Sequence, residues 1–468
     1  MTLLCYLLAS SASAAAPAAP RNIFLLIADG AGYNTFAATS MYQGRWDPQA
    51  EHPTGEVYGD EHWVHVGKAS WTISAGADMP PDLGRAYSSR AAWSARRAEG
   101  TLSGAGGLLY PYHHRATAWH AQTYPDSAAT MTQMMTGTKT YNGSINYSVD
   151  GHPLTAFTEL IDESRGVGVV TSVPVSHATP AVAAGAHNAS RRQYADIAQE
   201  ILSADIVDVW MGAGHPLFDS GGQPSASPAP RYIGGAAAWG ALAAGQGPWH
   251  LLDAKADFEQ LAAGSPAPGG RLLGLAPVAQ TLQANRPGNA PGMAPGSVPL
   301  IETVPSLETM TMAAVRALSE SHPGGFFLMA EGGAVDWAMH GNAAGHMIEE
   351  MIDFNQTIEA IVDWVASNGG WEENLILITA DHDHLFQGPP TRRAPFPLVI
   401  DRGAGSVPGH TWLWSSHSNH LVPVFARGSG AERIAEMADE TDPRHGPYIQ
   451  DTEVFDALIQ AWNIPDPR

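Results

Sequence analysis

The chain has 468 residues, 44% of them apolar and only 15% charged, so a packed core is expected and disorder of the chain as a whole is not. With 46 Asp and Glu against 24 Lys and Arg, the formal net charge is −22, which argues against any nucleic-acid-binding surface, because a phosphate backbone needs a basic face. Cys5 is the single cysteine, so a chain that loses its first residues has no disulfide, no thiolate metal ligand and no cysteine nucleophile.

In chain order, the apolar run from Leu3 to Leu8 and the small residues Ala12-Ser13-Ala14 read as a secretory signal over residues 1–20, although its basic n-region is missing. A disordered alanine-rich tail is the plainer alternative. Such a signal implies a periplasmic or secreted protein. No later stretch reaches the roughly 18 apolar residues of a membrane span. Ile23 to Ile27 predicts a buried strand that ends at Asp29-Gly30. Similar runs follow at residues 167–170, 206–211, 326–329, 375–379 and 421–425. Between them lie helical patterns: Leu154, Phe157, Leu160 and Ile161 share a face after Pro153, and Ile348 to Val365 marks a long helix. Strands alternating with helices predict an α/β fold, a central mostly parallel sheet with helices on both faces. Three stretches break the rhythm, near residues 41–119, 212–300 and 387–414. They are expected as large insertions on the rim of a single catalytic domain over residues 21–468.

The chemistry lies at strand ends. In open parallel sheets ligands bind beyond the carboxyl ends of the strands. Asp29, Glu331 and the pair Asp381-His382 all stand there, and His177 and Thr179 follow the strand near residue 167. Asp336 and His340, four residues apart, point the same way on a helical turn, which suits one metal ion with a further imidazole. Asp383-His384 repeats the dipeptide of Asp381-His382, so spacing alone leaves the ligand identity open. Ser127 follows Tyr124-Pro125-Asp126 at a helix start, where free N–H groups favour an alkoxide and a bound phosphate. A plain capping serine is the competing reading.

Taken together, these segments resemble the alkaline phosphatase family. They are Asp29-Gly30, Asp126-Ser127-Ala128-Ala129-Thr130, Glu331 to Asn342 with its Asp-Trp-x-x-His core, Thr379-Ala380-Asp381-His382, and His417 to Gly428, in the family order. The resemblance implies hydrolysis of phosphate monoesters to an alcohol and inorganic phosphate, through a phosphoserine on Ser127, with two zinc ions and a third metal. Asp336, His340 and His417 would hold the first zinc; Asp29, Asp381 and His382 the second, with Ser127. Asp29, Thr179 and Glu331 would hold the third ion, usually magnesium. His384 and His420 are then expected beside the ligands or on the surface. Arg191 is implied as the phosphate clamp, with Arg192 a competitor because the spacing is one residue long. A planar guanidinium grips two phosphoryl oxygens at once.

Two departures bear on metal choice. His177 stands where the best-studied bacterial members carry an acid, and Trp337 where they carry a lysine, so the third site is open to zinc or cobalt as well as magnesium. Family members are commonly homodimers, and long insertions that cover the interface would leave a monomer. Two alternatives remain: a phosphodiesterase of the same superfamily, and, from another class, a secreted non-catalytic metal-containing binding protein.

Overall fold

Ile23, Leu25 and Ile27 point to one side of a sheet and Phe24 and Leu26 to the other, and both sides are buried. That period-2 alternation with apolar residues in both phases is what a strand covered on both faces requires. In the computed structural model, which describes residues 19–77, 79–94, 96, 119–120, 123–389 and 395–468, this strand is central to an 11-stranded sheet. Residues 1–18 of the signal-like segment 1–20, with Leu3–Leu8, lie outside the described residues, as does all of 97–118.

The strands are β1 (Asn22–Ile27), β2 (Val64–Ala69), β3 (Gly166–Pro174), β4 (Val209–Ala213), β5 (Trp249–Leu252), β6 (Arg271–Leu275), β7 (Phe326–Glu331), β8 (Asn374–Thr379), β9 (Asp383–Gln387), β10 (Thr411–Ser418), β11 (Val422–Gly428), β12 (Glu440–Asp442) and β13 (Gly446–Gln450). The large sheet has the order β12-β13-β2-β11-β8-β1-β7-β3-β4-β6-β5. From β8 to β5 all neighbours are parallel, whereas β11 runs antiparallel to both β8 and β2. The fold is α/β. One face is covered by helices Leu307–Ser321 and Ala344–Ser367, the other by Ser127–Thr136, Ala178–Ala183 and Thr452–Ala461.

Three details differ from the periodicity reading. The stretches near 41–119 and 212–300 each give strands to the sheet, β2 from the first and β5 and β6 from the second. The helix expected after Pro153 is a single 3-10 turn, Phe157–Leu160. Glu159 accepts from the backbone N–H of Ala156 at its start, and a turn closes from Arg165 N–H to the carbonyl of Asp162, so nothing longer fits. The stretch near 387–414 is flanked by β9 and β10, which pair as a separate antiparallel ribbon with His384 opposite His417.

Candidate active site and metal centre

β1 lies between β8 and β7, and β3 follows β7, so the carboxyl ends of four adjacent parallel strands share one rim. Asp29 leaves β1, Glu331 ends β7, Asp381 and His382 leave β8, and Thr179 sits in the short helix after β3. Gly30 turns the chain away from β1 with φ of +77°, and a Cβ there would lie 3.0 Å from the His384 ring and 3.3 Å from the Asp336 Cα. Its N–H donates to Asp381 Oδ1 at 2.9 Å. A residue with a side chain would therefore be strained and crowded at once.

Ser127 is the first residue of its helix, and Asp126 is the cap. Asp126 does three jobs with one carboxylate. Oδ1 accepts from the N–H of Ala129 at 3.0 Å and of Gly143 at 2.9 Å, and Oδ2 accepts from Arg191 Nη1 at 3.0 Å. Ser127 is thus not needed as the cap, and its Oγ instead lies 3.4 Å from Asp29 Oδ1 and 3.2 Å from His382 Nε2. The helix start lies at the wall of a pocket that has a volume of about 500 Å³ and is lined by Ser127, Arg191, Arg192, His177, Trp337 and the histidines 340 and 417. Arg191 is half-buried and braced; Arg192 is exposed at the rim.

Asp336 and His340 lie on helix Ala334–His340, whose single face brings them together at 3.4 Å. Asp336 Oδ1 is also 3.3 Å from His417 Nε2 and 2.7 Å from His384 Nε2. Backbone acceptors fix which ring nitrogens point inward: His340 Nδ1 donates to the carbonyl of Ser415 at 2.8 Å and His417 Nδ1 to that of Pro125 at 2.9 Å. Asp336, His340, His384 and His417 offer ligand atoms all within 4.8 Å of one another, and so do Asp29, Asp336 and His382. His382 Nε2 is 3.2 Å from Asp381 Oδ2.

Sequence reasoning set His384 and His420 aside as neighbours or surface residues. Both are buried, and His384 touches Asp336 directly. The ribbon register opposite His417 places it there, and the repeated Asp-His dipeptide was the signal in the sequence. Two further residues carried no signal. Thr171 on β3 donates to Glu331 Oε2, and the buried Lys68 amine donates to the carbonyl of Asp381 at 3.2 Å and to Ser70 Oγ at 2.7 Å.

The electrostatics are those of a site built for cations. Burial, then the neighbouring Asp381, Asp336 and Glu331, holds the Asp29 carboxyl well above its ordinary range. Burial pushes Glu331 up to about 7 against the hydrogen bond from Thr171. Asp336 goes the other way: burial raises it, but His340, His384 and His417 outweigh that and hold it well below the usual carboxylate range. Burial and then His417 hold His382 in its neutral form, the form that ligates metal. No Lys or Arg among the described residues pairs with Asp29, Asp381 or Glu331. Glu331 Oε1 and Thr179 Oγ1 are buried without hydrogen-bond partners. Crowded carboxylates that no Lys or Arg pairs directly, with orphaned oxygens and neutral imidazoles, fit divalent cations held by oxygen and nitrogen ligands.

Comparison with known proteins agrees with this chemistry. The alkaline phosphatase family model matches residues 110–401, more than half of the chain. Alkaline phosphatase 4 of Bacillus subtilis is 28% identical over 263 residues, 55% of this chain, and the match spans only 49% of that relative. Streptomycin-6-phosphate phosphatase of Streptomyces griseus is 30% identical over 355 residues, 68% of this chain and 76% of the relative. The fold is also that of the alkaline phosphatase from the Antarctic bacterium TAB5, with a TM-score of 0.61 at 19% identity over 96% of this chain and 99% of the other.

Proposed function

The chain belongs to the alkaline phosphatase family, and from that premise we propose that it hydrolyses phosphate monoesters to an alcohol and inorganic phosphate through a phosphoserine on Ser127. The observation that carries this reading is the setting of Ser127: a helix-start hydroxyl, freed from capping by Asp126, facing Asp29 and His382 in a pocket that also holds Arg191.

Asp336, His340 and His417 are assigned to one zinc ion, Asp29, Asp381 and His382 to a second, and Asp29, Thr179 and Glu331 to a third ion, magnesium, zinc or cobalt. When bound, these ions supply positive charge that favours the Ser127 alkoxide and offsets charge on the phosphoryl and leaving oxygens. The chain's own groups do the rest. Arg191, held by Asp126, forks onto two phosphoryl oxygens, and the N–H groups at the start of the Ser127 helix face the same anion. Ser127 Oγ attacks phosphorus, an O–P bond forms, and the ester O–P bond opposite it breaks, releasing the alcohol. Water then attacks the phosphoserine from the vacated side, returning the Ser127 hydroxyl and releasing phosphate. His384 holds the Asp336 carboxylate, and Lys68 holds the backbone carbonyl of Asp381.

Arg191 also favours a monoesterase over a diesterase, because a diester has one fewer free oxygen for a braced guanidinium to grip. A non-catalytic binding protein gives no purpose to an open serine between carboxylates and imidazoles. The reading includes export to the periplasm or beyond, from the Leu3–Leu8 segment, and a homodimer as in the family.

The test is turnover of p-nitrophenyl phosphate with and without chelator, followed by zinc, magnesium or cobalt. Activity lost to the chelator and restored by metal is expected, together with acid-stable phosphate on the wild-type chain and none on Ser127→Ala. Absence of turnover under every metal condition rejects the phosphatase; full activity in Ser127→Ala rejects the covalent route.

A further inference from the structure

Trp337 is the wall between two cavities. On one side lies the reaction pocket; on the other lies a cavity of about 370 Å³. Helical geometry explains the division, since Asp336 and His340 form one stripe of their helix while Trp337 and Gly341 form the next, about 100° round. Trp337 packs on Val173, Ala284 and Ala334, which ties the segment around residue 284 to the edge of the reaction pocket.

The walls of the second cavity are polar, and apart from the paired Arg286 they are neutral. Gln280 Oε1 accepts from Asn285 Nδ2 at 3.1 Å and from Ser220 Oγ at 3.4 Å, and Asn289 Nδ2 donates to the carbonyl of Ala284 at 2.9 Å. These bonds use half of each amide. Gln280 Nε2, Asn285 Oδ1 and Asn289 Oδ1 have no protein partner among the described residues, and all three residues line the cavity. His346, more than nine-tenths buried at 7% exposure, also lines it, and its Nε2 is without a partner. The charged side chain in the wall, Arg286, is gripped by both carboxylate oxygens of Glu349 at 3.0 and 2.9 Å, so it presents little free charge. A volume near 370 Å³ lies within the roughly 300–1,000 Å³ of small-molecule sites.

The direction of the reaction leads there. In-line displacement sends the alcohol away from the attacking oxygen. From Ser127 the contacts run to His382 at 3.2 Å, then to His417, stacked on it with centroids 3.7 Å apart, then to His340 at 3.0 Å. His340 therefore ends this run of contacts from the nucleophile, and Trp337, on the next stripe of the same helix with its ring 5.5 Å from that of His177, borders the pocket beside it. We infer that the cavity beyond Trp337 receives the alcohol part of the substrate, and that the preferred substrates are phosphate monoesters of neutral polyhydroxylated alcohols, sugars or cyclitols. Hydroxyls both donate and accept, as do free amide halves and a neutral imidazole, and the apolar ring face of such an alcohol lies against an indole. A charged alcohol would find only Arg286, already paired with Glu349.

This inference rests on the phosphomonoesterase reading, and the experiment separates the two. The metal-loaded full chain is assayed for kcat/KM on glucose 6-phosphate, myo-inositol 1-phosphate, 3-phosphoglycerate and p-nitrophenyl phosphate, as wild type and as Gln280→Leu with Asn285→Leu. Asn285 is exposed, so its loss leaves folding intact. The expected results are a wild-type preference for the two polyol esters over 3-phosphoglycerate, and a fall of about tenfold or more in the ratio of polyol ester to p-nitrophenyl phosphate in the variant. A ratio unchanged within twofold, or a preference for the charged ester, overturns the inference while phosphatase activity stands. No hydrolysis of any ester overturns both.

Discussion

Asp126 shows how one side chain can free another. By capping the helix and bracing Arg191, it leaves the Ser127 hydroxyl to face the pocket. Replacing Arg191 with alanine is expected to lower kcat/KM on p-nitrophenyl phosphate by about two to three orders of magnitude, as loss of a bidentate anion contact does at such sites. Arg192→Ala, at an exposed rim position, should change it less than about threefold. Steady-state kinetics on the two variants decide which guanidinium is the clamp; equal losses would mean both contact the substrate. Asp126→Ala should cost about 1 kcal/mol of stability through the lost cap. It should also raise KM by freeing Arg191, and an unchanged KM would show that Arg191 is oriented by something else.

The elements that matter most are helix Ala344–Ser367 and the β9–β10 ribbon. The helix lays Ile348, Met351, Phe354, Ile358, Ile361 and Val365 along the sheet, all fully buried, at the 3–4 residue spacing visible in the sequence. Ile358→Ala should therefore destabilise the fold by roughly 2–5 kcal/mol in urea unfolding, with kcat on residual folded protein retained. A value under 1 kcal/mol would mean the helix is loosely seated at Ile358. The ribbon was not legible. Its two strands are separated by a long connection, and their pairing, with His384 opposite His417, is a long-range register that no local period encodes.

At the scale of the whole molecule, many acids stand against few bases, and several acids are buried. Glu350, outside the ligand set, is pushed up to about 8 by burial and then by Asp353 and Glu349. Its folded state therefore holds a proton that the unfolded chain releases near the ordinary value of 4.5. The stability this group contributes is fully present below that value and is lost as pH rises toward 8, by an amount on the order of a few kcal/mol. Glu350→Gln should remove that slope. Urea unfolding of both proteins at pH 5, 6.5 and 8 in one metal condition should show the glutamine variant gaining on wild type with rising pH, and a constant gap would refute the assignment.

What the sequence determined by itself was local: apolar runs that became strands β1, β3, β4, β7, β8 and β11, the long helix, the helix start at Ser127, and acids placed just past strand ends. Those follow from side-chain periodicity and backbone capping, which act over a few residues. Tertiary structure alone decided what meets across hundreds of residues. It put His384 on Asp336, Lys68 behind Asp381 and Thr171 on Glu331, and it set Arg191 against Asp126 while leaving Arg192 at the rim. Such pairings depend on strand order and register, which are settled by the burial of the whole sheet and not by any one segment.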